Sequence, residues 1–139
     1  LTRLRELDQR QPNIAEINFQ LGWTCEMLGR TREAAAYYDK AILLGLTPNE
    51  HSAALLGLGN SLRDLGEATR AVEILQTARA LFPDNREFDV FLALALRDLR
   101  HHDEALQLLL QLIVETSHDP GISAHQRAIR YHARRLTSA

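Results

Sequence analysis

QLGWTCEMLG (Gln20–Gly29) returns as GLGNSLRDLG (Gly57–Gly66) and again as FLALALRDLR (Phe91–Arg100). Leu21 recurs as Leu58 and Leu92, Gly22 as Gly59 and Ala93, Cys25 as Leu62 and Leu96, and Leu28 as Leu65 and Leu99. The downstream half of each stretch repeats too, as Ala34, Ala71 and Ala105, then Tyr38, Leu75 and Leu109, then Ala41, Ala78 and Leu112. From Leu21 to Leu58 is 37 residues and from Leu58 to Leu92 is 34. A period of this size belongs to stacked helical arrays, in which each unit hides its apolar face only against its neighbours.

Each unit reads as two helices. Apolar residues follow helical spacing through 18–28, and Gly29 and Gly66 break the chain before the next helix. Asn13 with Glu16, Thr47 with Glu50 and Asp84 with Glu87 each place a capping side chain three residues before a glutamate, which predicts three helix starts. Pro48 follows Thr47 at the first helical position, where a missing N–H costs nothing.

Leu-Gly-x-x-large, a turn glycine, then Ala-x-x-x-large, alanine and a late proline resembles the tetratricopeptide repeat family. Leu58, Gly59, Leu62, Gly66, Ala71, Leu75, Ala78 and Pro83 make the middle unit the best match. The pattern departs at Asn18, where the family favours a bulky residue, at Arg100, where glycine is usual, and at Leu112 in place of alanine. The first unit is also three residues longer around Gly45–Glu50. The resemblance implies an all-α, right-handed solenoid forming one domain. Its parts are a leading helix (1–12), units at 13–48, 49–83 and 84–119, and a capping helix in 120–139. More narrowly, the chain is similar to small stand-alone bacterial members with three units and an Arg-rich last helix.

Composition agrees with a folded domain: 45% apolar and 24% charged residues with a formal charge of −2 fit neither a disordered chain nor a nucleic-acid binder. The charge-free run Ala105–Val114 is too short to span a bilayer. A single cysteine fits a reducing compartment, so a cytoplasmic location is expected, with no membrane or nucleic-acid partner. The chain begins with Leu1 rather than methionine, and a few preceding residues are expected in the natural protein. Arg127, Arg130, Arg134 and Arg135 fall in the last 19 residues, which hold no acid, and read as a solvated helix face.

Helical geometry separates two faces of the first helix. With Leu21 at 0°, Cys25 lies at about 40° and Leu28 at about −20°, on the packed side. Phe19, Glu26, Trp23 and Met27 then fall between about 140° and 240°, on the other side. In a tetratricopeptide stack that side lines a concave groove. Carried through the repeats it gives the ladders Phe19–Leu56–Val90, Trp23–Asn60–Leu94, Glu26–Arg63–Arg97 and Met27–Asp64–Asp98. The expected function is non-catalytic binding of a protein or peptide segment in this groove. Trp23 and Phe19 would be its apolar anchors, and Arg63 and Arg97 would pair with acidic groups of the partner. The alternative is self-association into a homodimer or larger oligomer. Family members that hold acidic chaperone tails carry lysine, asparagine and arginine on this face. Phe19, Trp23, Gly57, Glu87 and Phe91 stand at those places, so that mode is not expected.

No catalytic or cofactor site is expected. Cys25 aligns with Leu62 and Leu96, as a small core hydrophobe would. His125 and His132 would stand about 10.5 Å apart along a helix, too far for one zinc ion, and His102 is expected to pack structurally. Tyr37, Tyr38 and Tyr131 are likewise read as packing residues. Gly22, Gly59 and Ala93 are expected to be small because two helix backbones approach there. Gly59→Leu should therefore lower stability by about 1–3 kcal/mol, read as a fall in Tm.

Overall fold

The computed structural model describes residues 1–138. Nine helices follow one another among them: α1 (Thr2–Arg10), α2 (Ala15–Met27), α3 (Thr31–Leu44), α4 (Pro48–Asp64), α5 (Ala68–Leu81), α6 (Glu87–Asp98), α7 (His102–Thr116), α8 (Pro120–Ala124) and α9 (Gln126–Arg135). Each helix from α2 to α7 packs on the next, and α2–α4 and α4–α6 also touch, so α2, α4 and α6 form one layer and α3, α5 and α7 another. The result is a helical solenoid whose core runs unbroken along the array. Leu21, Leu58 and Leu92, with Ala34, Ala71 and Ala105, are all buried in it.

The turn inside each pair is built identically. Gly29, Gly66 and Arg100 adopt φ of 75°, 79° and 63°. Behind them the N–H groups of Arg30, Glu67 and His101 donate to the carbonyls of Cys25, Leu62 and Leu96 at 2.8, 2.8 and 2.9 Å. The residue before each also donates, Gly29 to Glu26, Gly66 to Arg63 and Arg100 to Arg97. This is the Schellman closure, which satisfies the last carbonyls of a helix and needs a left-handed residue at its corner. Glycine takes that corner freely, whereas an L-residue pays about 1–2 kcal/mol, so Arg100 holds a strained version of a conserved turn geometry.

The helix starts differ from the expectation. Pro48 does sit in the first turn after Thr47, but the Thr47 hydroxyl makes no capping bond. Asn13 is itself left-handed (φ 69°) and Ile14 takes the cap position, while α6 begins after Arg86 with no side-chain cap from Asp84. The side chain that does cap is Asp119, which accepts from the Ile122 N–H at 3.1 Å. Glu16, Glu50 and Glu87 lie in first turns, where the helix dipole favours an acid without any specific bond.

Small residues at the pair contacts meet side chains, not backbone. A Cβ at Gly22 would lie 2.8 Å from the Tyr38 ring, and one at Gly59 would lie 2.7 Å from Leu75. Gly57, in the middle of α4, would bring a Cβ within 2.6 Å of the far edge of the same Tyr38 ring. Tyr38 is thus held between the glycines of two successive units. Leu28 departs from its expected burial: it is 57% exposed, although its counterparts Leu65 and Leu99 pack against the core. The helix that precedes its pair, α1, is short and packs on α2 far more lightly than α3 does on α4.

At the far end the segment expected as one capping helix in 120–139 is divided at His125 into α8 and α9. Ala133 of α9 is buried and α9 lies on α7, while Arg127, Arg134 and Arg135 point outward. Tyr131, read as a packing residue, is 49% exposed and accepts from Arg135 at 2.8 Å. His102 is exposed, not packed.

The Tyr38 slot yields a direct test. Gly57→Ala should cost about 1–3 kcal/mol by overpacking, despite alanine's better helix propensity. In a Tyr38→Leu background the same change should become neutral or stabilising, as a thermal-unfolding cycle would measure.

Candidate functional site

α2, α4 and α6 carry the ladders expected to face a partner, and the structure divides those residues into two groups. Some are engaged within the array. Phe19 is half-buried, its ring centroid 6.2 Å from that of Tyr38. The Glu26 carboxylate accepts the Tyr38 O–H at 2.6 Å. Leu56 packs against the core. Arg63 Nε donates to Asp98 Oδ2 at 2.7 Å, joining α4 to α6 across the layer. Asn60 is half-buried, and its Oδ1 is closed to solvent with no hydrogen-bond partner among the described residues.

The others are open. Trp23 is 53% exposed and Met27 is 70% exposed. Val90 and Leu94 are 38% and 39% exposed, and Asp64 is also open. Arg97 reaches Asp98 only at 3.8 Å. Phe19 and Glu26 therefore reach a common partner, Tyr38, while Trp23 and Met27 face away from any partner of their own.

Sequence reasoning missed the role of Gly57 as a receptor for Tyr38. A signal was available: two glycines two residues apart inside a helix cost stability unless something large needs the space.

The opposite side of the array offers a cavity of about 430 Å³ lined in part by Arg79, Arg86, Asp89 and Glu115. Its charges are used internally. Asp89 is almost fully buried, 2.5 Å from Arg79 and 3.0 Å from Arg86, and Arg86 also pairs with Glu115. Such a cluster ties α5, α6 and α7 together.

Cys25 is fully buried, and burial pushes its thiol up, opposite to the lowered value of a reactive cysteine. Among the described residues no group of three His, Cys, Asp or Glu side chains is placed to hold a metal ion. No described helix is long and apolar enough to cross a membrane.

A family model described as Tetratrico peptide repeat matches residues 15–136. The chain belongs to the tetratricopeptide repeat family. Among solved structures, one titled MamA RS-1 ArsTM double mutant matches this tetratricopeptide array with a TM-score of 0.65 and 20% identity, covering 98% of this chain and 84% of that one. At that identity the likeness shows the fold alone. No curated protein matches. Tetratricopeptide arrays generally mediate protein–protein interaction and are typically non-catalytic.

Tyr38 gives the array a pH signature. Burial first, and then the bond to Glu26, push its phenol well above its ordinary value. A group whose folded value is raised contributes stability below its unfolded value and loses it as pH rises. Stability should therefore fall as pH climbs past about 10, the ordinary tyrosine value. In a Cys25→Ala background, which removes the buried thiol's similar contribution, Tyr38→Phe should flatten that alkaline decline in denaturant titrations.

Proposed function

We propose that this tetratricopeptide domain, with units at 13–48, 49–83 and 84–119, is a non-catalytic scaffold that binds a segment of a partner protein. The segment lies on the concave face of α2, α4 and α6. The observation that carries this reading is the exposure of Trp23 and Met27, with Val90 and Leu94 also open, on a layer whose core-facing leucines Leu21, Leu58 and Leu92 are buried. An indole left open on a rigid helix is the kind of group that dominates protein interfaces. Trp23, Met27 and Leu94 are the anchors, with Val90 beside them. Phe19 contributes its accessible edge, and Arg97 is the cation open to a partner. Glu26, Leu56, Asn60, Arg63, Asp64 and Asp98 complete the floor and walls.

A second reading, self-association, is favoured by α7. Leu106 and Ile113, seven residues apart on one face, are 46% and 43% exposed. Their counterparts on α5 are Val72, which is buried, and Arg79, which is tied to Asp89 of the following helix. A second copy could cover the face that no following helix covers here.

Trp23→Ala combined with Arg97→Ala should abolish capture of a partner from a lysate while leaving Tm unchanged. Undiminished capture would refute the groove. Light scattering over a concentration series separates the second reading, which a monomer at all concentrations removes.

A further inference from the structure

Leu94 and Arg97 stand one turn apart on α6, separated by a rise of about 4.5 Å. Beyond Arg97 the turn into α7 brings Arg100 and His102 around a cavity of about 290 Å³, with Asp98 as its only acid. That acid is already taken: its Oδ2 accepts from Arg63 at 2.7 Å, and Arg97 approaches the other oxygen only to 3.8 Å with its side chain 71% exposed. Arg63 and Arg97 thus share one carboxylate, while Arg100 and His102 line the same cavity. Exposed Asp103, next to His102, is not part of the lining.

The arrangement is confined to the third unit. The place of Arg97 is held in the first unit by Glu26, whose carboxylate is bonded to Tyr38. The place of Arg100 is held by Gly29 and Gly66, and that of His102 by Thr31 and Ala68. Arg100 keeps its left-handed backbone (φ 63°) at a corner where the other two units use glycine. Excess positive charge beside an apolar strip is complementary to one kind of segment.

Resting on the groove reading, we infer that the partner segment carries carboxylates directly beside its apolar side chains. Trp23, Met27 and Leu94 receive the apolar groups. Arg97, Arg100 and His102 receive the carboxylates and so set the direction in which the segment lies. Guanidinium–carboxylate bonds are charge-assisted and geometrically selective, which suits them to fixing orientation.

Trp23, the only tryptophan, reports on binding without a label. The probes are end-capped synthetic peptides that share one leucine- and phenylalanine-bearing sequence flanked by glutamates, by glutamines or by lysines. The glutamate peptide should shift Trp23 emission to the blue and bind about tenfold more tightly than the lysine peptide. Arg97→Glu should weaken that binding about tenfold and Arg100→Gly about threefold. Arg100→Gly should at the same time raise Tm, because glycine relieves the corner, so lost affinity cannot be ascribed to lost folding. Equal binding of the three peptides, or unchanged affinity in both variants, overturns the cationic pocket and leaves the groove reading standing. No binding by any peptide to the folded protein overturns both.

Discussion

The ring of Tyr38 sets how closely the first two units can approach. It lies between α2 and α4, where Gly22 and Gly57 leave room for it, and its hydroxyl is held by Glu26. An interior packed to crystal-like density cannot hold both that ring and a methyl group at either glycine. Two helix interiors therefore carry glycine, at roughly 0.5–1 kcal/mol each relative to alanine, to admit one aromatic. At the next joint the sizes change hands: Leu75 replaces the tyrosine and Phe91 stands where Gly57 stood. A smaller side chain in the slot thus goes with a larger one on the facing helix.

The same constraint reaches the outward face of α2, α4 and α6. Phe19 and Glu26 are drawn toward Tyr38, and Arg63 is drawn to Asp98, so residues that could have met a partner help to hold the layer rigid. What remains open is a short strip, with Trp23 and Met27 at one end and Leu94 and Arg97 at the other. A surface fixed by its own internal bonds pays little ordering entropy when a segment lands on it. The cluster around buried Asp89 does the corresponding work on the outer side, where paired arginines fasten α5, α6 and α7.

The inner turns show how far backbone chemistry can override residue preference. All three close with the same pair of hydrogen bonds, yet only two have the glycine that such a corner favours. Arg100 follows its neighbours because the bonds from Arg100 and His101 to the end of α6 are worth more than the strain at a single residue. The consequence is a guanidinium fixed beside Arg97 and His102, a juxtaposition absent from the first two units.

The period, the helix pairs and the buried leucine and alanine positions were determined by the sequence, because apolar spacing reports directly which side of a helix faces the core. The left-handed corners at Gly29 and Gly66 were legible for the same local reason. Only the tertiary structure decided what reaches each side from the neighbouring helix. It placed Tyr38 against Gly57, paired Arg63 with Asp98, turned Glu26 into an acceptor for a tyrosine, and left Leu28 exposed. Helical periodicity gives the direction of a side chain but not its partner. Partners depend on side-chain reach across the gap between helix axes, which one helix's sequence does not contain.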